Sequence, residues 1–390
     1  MNDNTRIGIL GGGQLAKMLA ESEVDSKLTF VSADVEGSCA FDSNISFTKD
    51  LSNEQNLKEF AQLNDVITFD SEHLGVEFAD GLKNFGVEVY PSADFVRLSG
   101  DRLFEKNELN RLGIKTANYE EVNQQLSKEE YSNFIITTFN TKSLSENGIV
   151  LKTRHGGYDG KGQWVLFSDA TEIDIDDAID ESFELTKNPG IVVEGIVDFD
   201  FECSIIASRS TNGEIATWPL IHNIHKNSIL DLSRCPAPAN LICEATTESA
   251  IAIAKKICIE HNYVGTICVE LFFTKEGLIV NEIAPRVHNS GHLTIEGSKT
   301  SQFKNHINAI RGETLGQTDV DNYCAMINIV GQSLSKETEQ IIDSNNNVYL
   351  HWYNKEVRPD RKVGHITIVS KTEDELNDLI SRIKKKKKKL

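Results

Sequence analysis

Short apolar runs and helically spaced apolar positions alternate at the start of the chain. Arg6–Leu10, Leu28–Val31, Val66–Phe69 and Glu88–Tyr90 read as strands, with helices predicted near 14–22 and 76–85. This alternation favours a parallel, doubly wound sheet, because parallel strands need a crossover before they can pair. Over Asp101–Leu112, Leu103, Phe104, Leu109 and Leu112 recur at helical spacing, and Gly113 is the natural stop. From Ile149 the pattern turns strand-rich: Ile149–Lys152, Gln163–Phe167, Ile191–Glu194, Glu202–Ser208 and Ile215–Leu220. A helix over 247–261 and paired strands over 265–273 and 277–282 complete an α+β unit whose antiparallel strands enclose something between them. Beyond residue 312 come strand Cys324–Val330, helix 336–343, strands Val348–His351 and Val363–Ser370, and helix 372–383, a small third unit. The expected division is 1–95, 96–312 and 313–383, followed by a lysine-rich tail at 384–390.

Composition narrows the class. A chain of 390 residues suits several cores, since one core rarely grows past roughly 250–300 residues. With 39% hydrophobic and 25% charged residues and no long apolar run, it reads as soluble, with no membrane partner. Met1–Arg6 shows no basic leader followed by an apolar stretch, so a cytoplasmic location is expected. The seven cysteines form no C-x-x-C pair and read mostly as buried small hydrophobes. The net charge is −19 even with the lysines at 384–389 included, which argues against a nucleic-acid partner. That lysine run is expected to be a frayed, solvated tail.

Four segments carry chemistry. Gly11-Gly12-Gly13-Gln14-Leu15 is a glycine turn entering a helix, where free N–H groups suit a phosphate. As a dinucleotide fingerprint it is incomplete, with Ala16 at the third glycine position and only Asp34 as a loose acidic partner. In Leu151-Lys152-Thr153-Arg154-His155-Gly156-Gly157-Tyr158-Asp159-Gly160-Lys161-Gly162-Gln163, glycines let the backbone curl over phosphates while Lys152 and Lys161 supply countercharge. If 265–273 and 277–282 pair through the turn at Lys275-Glu276-Gly277, Glu270 and Glu282 face each other among apolar neighbours. Two such carboxylates call for a hard cation such as magnesium between them. Arg286-Val287-His288-Asn289-Ser290-Gly291-His292 follows as a run of donors, with Arg286 suited to an oxyanion. Tyr353-Asn354-Lys355, Arg358, Arg361-Lys362 and His365 gather positive charge suited to a phosphate monoester, or form an ordinary solvated patch.

These strings resemble the 5-(carboxyamino)imidazole ribonucleotide synthases, ATP-grasp enzymes, nearly end to end. The resemblance rests on Gly11–Leu15, Asp101-Arg102-Leu103, Gly157–Gln163, Asn281-Glu282-Ile283-Ala284-Pro285-Arg286 with His288–His292, Thr300-Ser301-Gln302-Phe303, and Arg361-Lys362-Val363-Gly364-His365. It implies an ATP-grasp architecture with an N-terminal Rossmann-like pre-ATP-grasp domain, a central ATP-grasp domain and a small C-terminal domain. It implies that ATP is bound by Arg102, Lys152, Gly157, Tyr158, Asp159, Gly160, Lys161, Gly162 and Gln163, with Glu194, Gly195, Ile196 and Val197 along the adenine. Glu202 would take the ribose, and His225, Asn281 and Glu282 would complete the nucleotide site. Glu270 and Glu282 would hold magnesium, as two ions. Aminoimidazole ribonucleotide would meet Gln14, Leu15, Glu72, Tyr158, Asp159, Arg286, His288, Asn289 and Ser290, with Lys355, Arg361 and Lys362 on its phosphate. Catalysis would fall to Arg286, Lys152, Asp159 and Tyr158.

The implied reaction makes carboxyphosphate from bicarbonate and ATP, without biotin, and carboxylates the exocyclic amine of the ribotide in purine synthesis. The implied assembly is a homodimer that passes its product to a mutase. Closure of the Gly157–Gln163 loop would keep water from the activated carbonate. The chain departs from the family pattern at His73-Leu74-Gly75, at His222, at His155 and at Gly195, where a second glutamate is usual. The nearest rival is another ATP-grasp enzyme of purine synthesis, a formate-dependent glycinamide ribonucleotide transformylase. A nucleotide-binding regulator without turnover would be expected to lack Glu270, Glu282 or Arg286, and all are present.

Overall fold

The computed structural model describes residues 5–22, 29–33, 47, 49–157, 160–238 and 241–387. The first unit holds β1 (Arg6–Leu10), α1 (Gln14–Glu21), β2 (Thr29–Ala33), α2 (Glu54–Leu63), β3 (Val66–Phe69), α3 (Glu72–Asn84), β4 (Glu88–Val89) and α4 (Ala93–Ser99). Its strands are parallel in the order β2-β1-β3-β4. β1 and β3 are near-continuous apolar runs because helices cover both faces of such a sheet. Strand β2 lies a residue or two beyond the expected Leu28–Val31, and α3 begins at Glu72 rather than 76.

α5 (Arg102–Arg111) opens the second unit, with the Asp101 carboxylate accepting from the Leu103 and Phe104 N–H groups. Phe104 is 55% exposed, so it lies off the buried stripe that the spacing predicts. Then come β5 (Tyr119–Glu121), α6 (Lys128–Thr141), β6 (Gly148–Thr153), β7 (Gln163–Phe167), α7 (Glu172–Phe183) and β8 (Ile191–Gly195). These strands form an antiparallel sheet, β5-β8-β6-β7, backed by α6 and α7. Both helices start with capping boxes, Ser127 with Glu130 and Thr171 with Asp174.

The largest sheet follows. It contains β9 (Phe201–Arg209), β10 (Ile215–Thr217), β11 (Ile221–Lys226), β12 (Ile229–Cys235), β13 (Gly265–Thr274) and β14 (Gly277–Ala284), with α8 (Glu244–Glu260) after β12. A 3-10 turn at Asn289–Leu293, α9 (Thr294–Gly297) and α10 (Gln302–Arg311) come next. The C-terminal part adds β15 (Tyr323–Val330), α11 (Lys336–Asp343), β16 (Val348–Trp352), β17 (Lys362–Ser370) and α12 (Glu373–Lys387). The order is β14-β13-β9-β11-β12-β15-β17-β16, with β10 on β9. The C-terminal strands thus continue the central sheet through the β12–β15 pairing and make no separate sheet.

Two expectations fail here. The predicted strand Ile215–Leu220 stops at Thr217, and Trp218 instead sinks into the core with its indole N–H on the Ser298 hydroxyl and the Thr300 carbonyl. The lysine run is not wholly a frayed tail, since α12 continues through Lys387 and Lys384 pairs with Asp231 at 2.5 Å. Of the cysteines, Cys203, Cys235, Cys258, Cys268 and Cys324 are buried and Cys243 is exposed, while Cys39 lies outside the described residues. No described helix is long and apolar enough to cross a membrane.

Candidate active site

The smaller antiparallel sheet faces the larger one across a cleft of about 1230 Å³, and the N-terminal unit and the β16–β17 connection close its far end. Every described residue that the resemblance assigns to ATP, metal or ribotide lines it except Gly162, which backs against Thr153, and Ser290, which is fully buried. Tyr158, Asp159 and Asp34 lie outside the described residues.

At one end, α5 and strands β6, β8 and β14 bring five charges together: Arg102, Lys106, Lys152, Glu194 and Glu282. Glu194 is 3.0 Å from the Lys152 ammonium and 3.2 Å from that of Lys106. Burial alone would raise the Glu194 pKa, but the two lysines outweigh it and hold the carboxyl at about 2. Lys152 also reaches the Asn281 side-chain oxygen at 3.5 Å, and burial lowers its pKa. Arg102 pairs with Glu282 at 2.8 Å and donates to the Gly157 carbonyl at 3.3 Å, tying the glycine loop to the sheet. Both lysines thus meet Glu194 Oε2, and Gly195, Ile196 and Val197 continue along the cleft wall beyond it. A Cβ at Gly195 would lie 2.5 Å from the Leu144 carbonyl, so the glycine departure follows from close backbone approach. Farther along the cleft, His225 meets Glu202 at 2.5 Å.

Glu270 and Glu282 are direct cross-strand partners in β13 and β14, beside a bulge at Glu270/Leu271. Gly277, at φ +112, supplies the turn that joins the two strands. Burial would raise the Glu270 pKa, yet His288, His225 and Lys362 bring it to about 2, so the carboxylate stays ionised. Glu105, buried and close to Glu282, goes the other way, to about 8, and accepts the Ile283 N–H at 2.9 Å.

The other end is assembled from distant parts of the chain. Arg286 pairs with Glu72 at 2.8 Å, and Lys355 binds the Gln14 side-chain oxygen. Asn289 makes a reciprocal amide pair with Asn328 of β15, at 3.1 and 2.7 Å. His288 places Nε2 2.8 Å from Glu270 and Nδ1 2.9 Å from the Ser290 hydroxyl. Burial opposes charge on His288, while Cys268 and Glu270 draw a proton to it and raise its pKa. Arg358, Arg361 and Lys362 border the same end. His365 does not add to this charge: it is buried against Tyr353, whose hydroxyl is 2.6 Å from Nδ1, and burial pushes its pKa far down.

Three sequence expectations change. The Gly11–Gly13 turn holds a carboxylate: the Gly13 N–H donates to Asp70 at 2.6 Å, and a Cβ at Gly11 would collide with Asp70 Oδ1. The Leu15 side chain packs into the N-terminal core while the residue borders the cleft. The Ser290 hydroxyl, expected on the substrate, instead accepts from Ser204 at 2.8 Å beneath the cleft floor. Of the other departures, His222 is a buried histidine, edge-on to Phe201, that burial keeps neutral, and His155 Nδ1 lies 2.9 Å from the Gly100 carbonyl. Sequence reading missed Lys106, Glu105, Asp70 and Asn328. Glu105 and Lys106 lie one helical turn after Arg102, but their partners, Ile283 and Glu194, are far along the chain.

The sequence matches the ribonucleotide synthetase preATP-grasp domain over residues 4–99, the ATP-grasp domain over 107–303, and the phosphoribosylaminoimidazole carboxylase C-terminal domain over 324–379. It is 36% identical over 366 residues to the N5-carboxyaminoimidazole ribonucleotide synthase of Pseudomonas aeruginosa, covering 93% of this chain and 94% of that one. The enzyme of that name from Bacillus subtilis is 34% identical over 375 residues, covering 95% and 92%. Among solved structures, the N5-carboxyaminoimidazole ribonucleotide synthetase of Thermus thermophilus superposes with a TM-score of 0.85 at 35% identity, over 98% of this chain and 99% of that one. An Aspergillus clavatus N5-carboxyaminoimidazole synthase, solved with ADP and 5-aminoimidazole ribonucleotide, gives 0.81 at 25% identity, over 99% and 100%.

Proposed function

The chain belongs to the N5-carboxyaminoimidazole ribonucleotide synthases, and from that premise we propose that it carboxylates 5-aminoimidazole ribonucleotide with bicarbonate at the expense of ATP. The observation that carries this reading is the facing pair Glu270 and Glu282, set in one cleft between a lysine- and arginine-rich nucleotide end and a second basic end. The ATP phosphates lie between Arg102, Lys152 and the Gly157–Gln163 loop. Glu270 and Glu282 fit magnesium: both present hard anionic oxygens, and Glu270 is held ionised by its surroundings. Among the described residues no larger His, Cys, Asp or Glu cluster could hold a metal, which suits an ion bound by one or two carboxylates plus substrate phosphates. Such an ion would neutralise charge developing on the phosphates.

Bicarbonate oxygen attacks the γ-phosphorus and the bond to the bridging oxygen of ADP breaks, giving carboxyphosphate. Arg286, fixed by Glu72, holds the carboxyl group, with His288 beside it. The exocyclic amine of the ribotide then bonds to the carboxyl carbon as the carbon–oxygen bond to phosphate breaks, and the amine proton leaves with the phosphate. Lys355, Arg361 and Lys362 hold the ribotide phosphate, and Gln14 orients Lys355. Tyr158 and Asp159 complete the substrate contacts. On the same reading the enzyme is a cytoplasmic homodimer that needs magnesium but no biotin and hands its product to a mutase. Its domains run over 1–95, 96–312 and 313–383.

Phosphate release from ATP, measured with and without ribotide and bicarbonate, tests the proposal. Release that depends on both is expected. Release that ribotide does not stimulate would overturn the assignment.

A further inference from the structure

Beneath the cleft floor a line of polar side chains crosses the large sheet where apolar packing would be ordinary. The Ser233 hydroxyl of β12 donates to Asn223 Oδ1 of β11 at 2.8 Å, and Asn223 Nδ2 donates to the Ser204 hydroxyl of β9 at 2.9 Å. Ser204 in turn donates to the Ser290 hydroxyl at 2.8 Å. Ser204, Ser233 and Ser290 are fully buried and Asn223 is 4% exposed, so water does not compete for these bonds.

The order of donors has a consequence at the far end. An amide presents an acceptor on one side and donors on the other, and a hydroxyl has a single proton to give. Asn223 turns its oxygen to Ser233 and its NH₂ to Ser204, which spends the Ser204 proton on Ser290. Ser290 in turn borders His288, with its hydroxyl 2.9 Å and its backbone N–H 3.3 Å from Nδ1. With Nδ1 held by Ser290 from two sides, the ring turns Nε2 to Glu270, 2.8 Å away.

We propose that Asn223 and Ser204 are positioning residues for the carboxylation reaction, holding His288 through Ser290 so that its Nε2 faces Glu270. The proposal rests on the reading of His288 as a ribotide-side residue. Neither Asn223 nor Ser204 reaches the substrate; each acts on the orientation of the imidazole. This resembles the support given to metal-bound histidines, whose second nitrogen is fixed by a neighbour so that the first points one way.

Asn223→Asp keeps the volume and removes the donor, and Ser204→Ala breaks the line at its middle. With the purified full chain, each is expected to raise the KM for aminoimidazole ribonucleotide about 10-fold, the lower range for such supporting residues, while the KM for ATP changes by less than about two-fold. Because both variants cut one line, the double variant should be no worse than the poorer single. An unchanged ribotide KM, an equal rise in both KM values, or effects that multiply in the double variant would each overturn the proposal. If Asn223→Asp does not fold, Ser204→Ala decides by the same two constants. The unmodified enzyme is assayed first: absence of ribotide-stimulated phosphate release there refutes the assigned function, whereas normal coupling in it with unaffected variants refutes only the positioning role.

Discussion

At the nucleotide end of the cleft, Lys106 and Glu194 have side chains 1% and 4% exposed and neutralise each other before any ligand arrives. At the ribotide end, Arg286 and Glu72 are 23% and 29% exposed and come from different units of the fold. Charge at the first end is part of the core, and its loss should be felt as instability. Charge at the second is held ready at a surface, and its loss should be felt in turnover.

The largest expected effect tests the first half of that contrast. Glu194→Gln leaves Lys106 and Lys152 buried with no counterion, and removing one partner of a buried pair typically costs about 3–5 kcal/mol. Denaturant unfolding of the ligand-free protein should show a loss of that order. A variant as stable as the unmodified chain would mean that the charges are not closed on themselves, and the contrast would fail.

Arg286→Ala tests the second half. Loss of a donor to a developing oxyanion costs on the order of 10²–10³ in kcat, here with unfolding stability nearly unchanged and ATP affinity intact. A large drop in stability together with the drop in rate would make the two ends alike.

The junction supporting the ribotide end gives a smaller, pH-dependent effect. His306 of α10 accepts the Thr266 N–H on Nδ1 at 3.0 Å and places Nε2 2.8 Å from the Thr68 hydroxyl, joining β13 to β3 of the N-terminal unit. Burial lowers its pKa from 6.5 to about 3. The unfolded chain therefore takes up a proton at this site as pH falls through 6.5, while the folded chain resists it until about 3. Over that window His306 subtracts stability at about 1.4 kcal/mol per pH unit, and above it nothing is lost. His306→Asn should be less stable at neutral pH but show a flatter acid limb in unfolding experiments. An unchanged slope would place the acid sensitivity elsewhere.

The contrast also explains what could be read from sequence. The hairpin carrying Glu270 and Glu282 was legible because strand alternation and the Gly277 turn are local, but the turn alone would set Asn281 opposite Glu270, and the bulge at Glu270/Leu271 brings Glu282 there instead. The parallel N-terminal sheet was legible for the same reason. α6 and α7 were not, since the β-branched and aromatic run Phe134-Ile135-Ile136-Thr137-Thr138-Phe139 in one and the Ile173/Ile175 alternation in the other mimic strand patterns, and the capping boxes that start them are short signals. Lys106, Asp70, Asn223 and Asn328 are polar residues whose meaning lies in a partner far along the chain. A sequence displays Asp70 as one more acid after a strand; only the fold sets its carboxylate against the Gly13 N–H, where a phosphate was expected.

The smallest effect concerns the loop that joins the two ends. Gly160 has φ +79, and a Cβ there would lie 2.5 Å from the Cβ of Ser228 at the tip of the β11–β12 hairpin. Gln163 reaches the same serine hydroxyl at 3.4 Å, so the glycine loop rests on the hairpin across the cleft mouth. Gly160→Ala adds a backbone cost of about 1–2 kcal/mol and a collision with Ser228. Gly160→Ala with Ser228→Gly removes the collision and keeps the backbone cost. If contact between loop and hairpin governs closure, the single variant should release a few-fold more phosphate per ribotide carboxylated, and the double variant should recover much of the coupling. Equal coupling in both would show that only the local backbone matters, and the mouth would then belong to the nucleotide end alone.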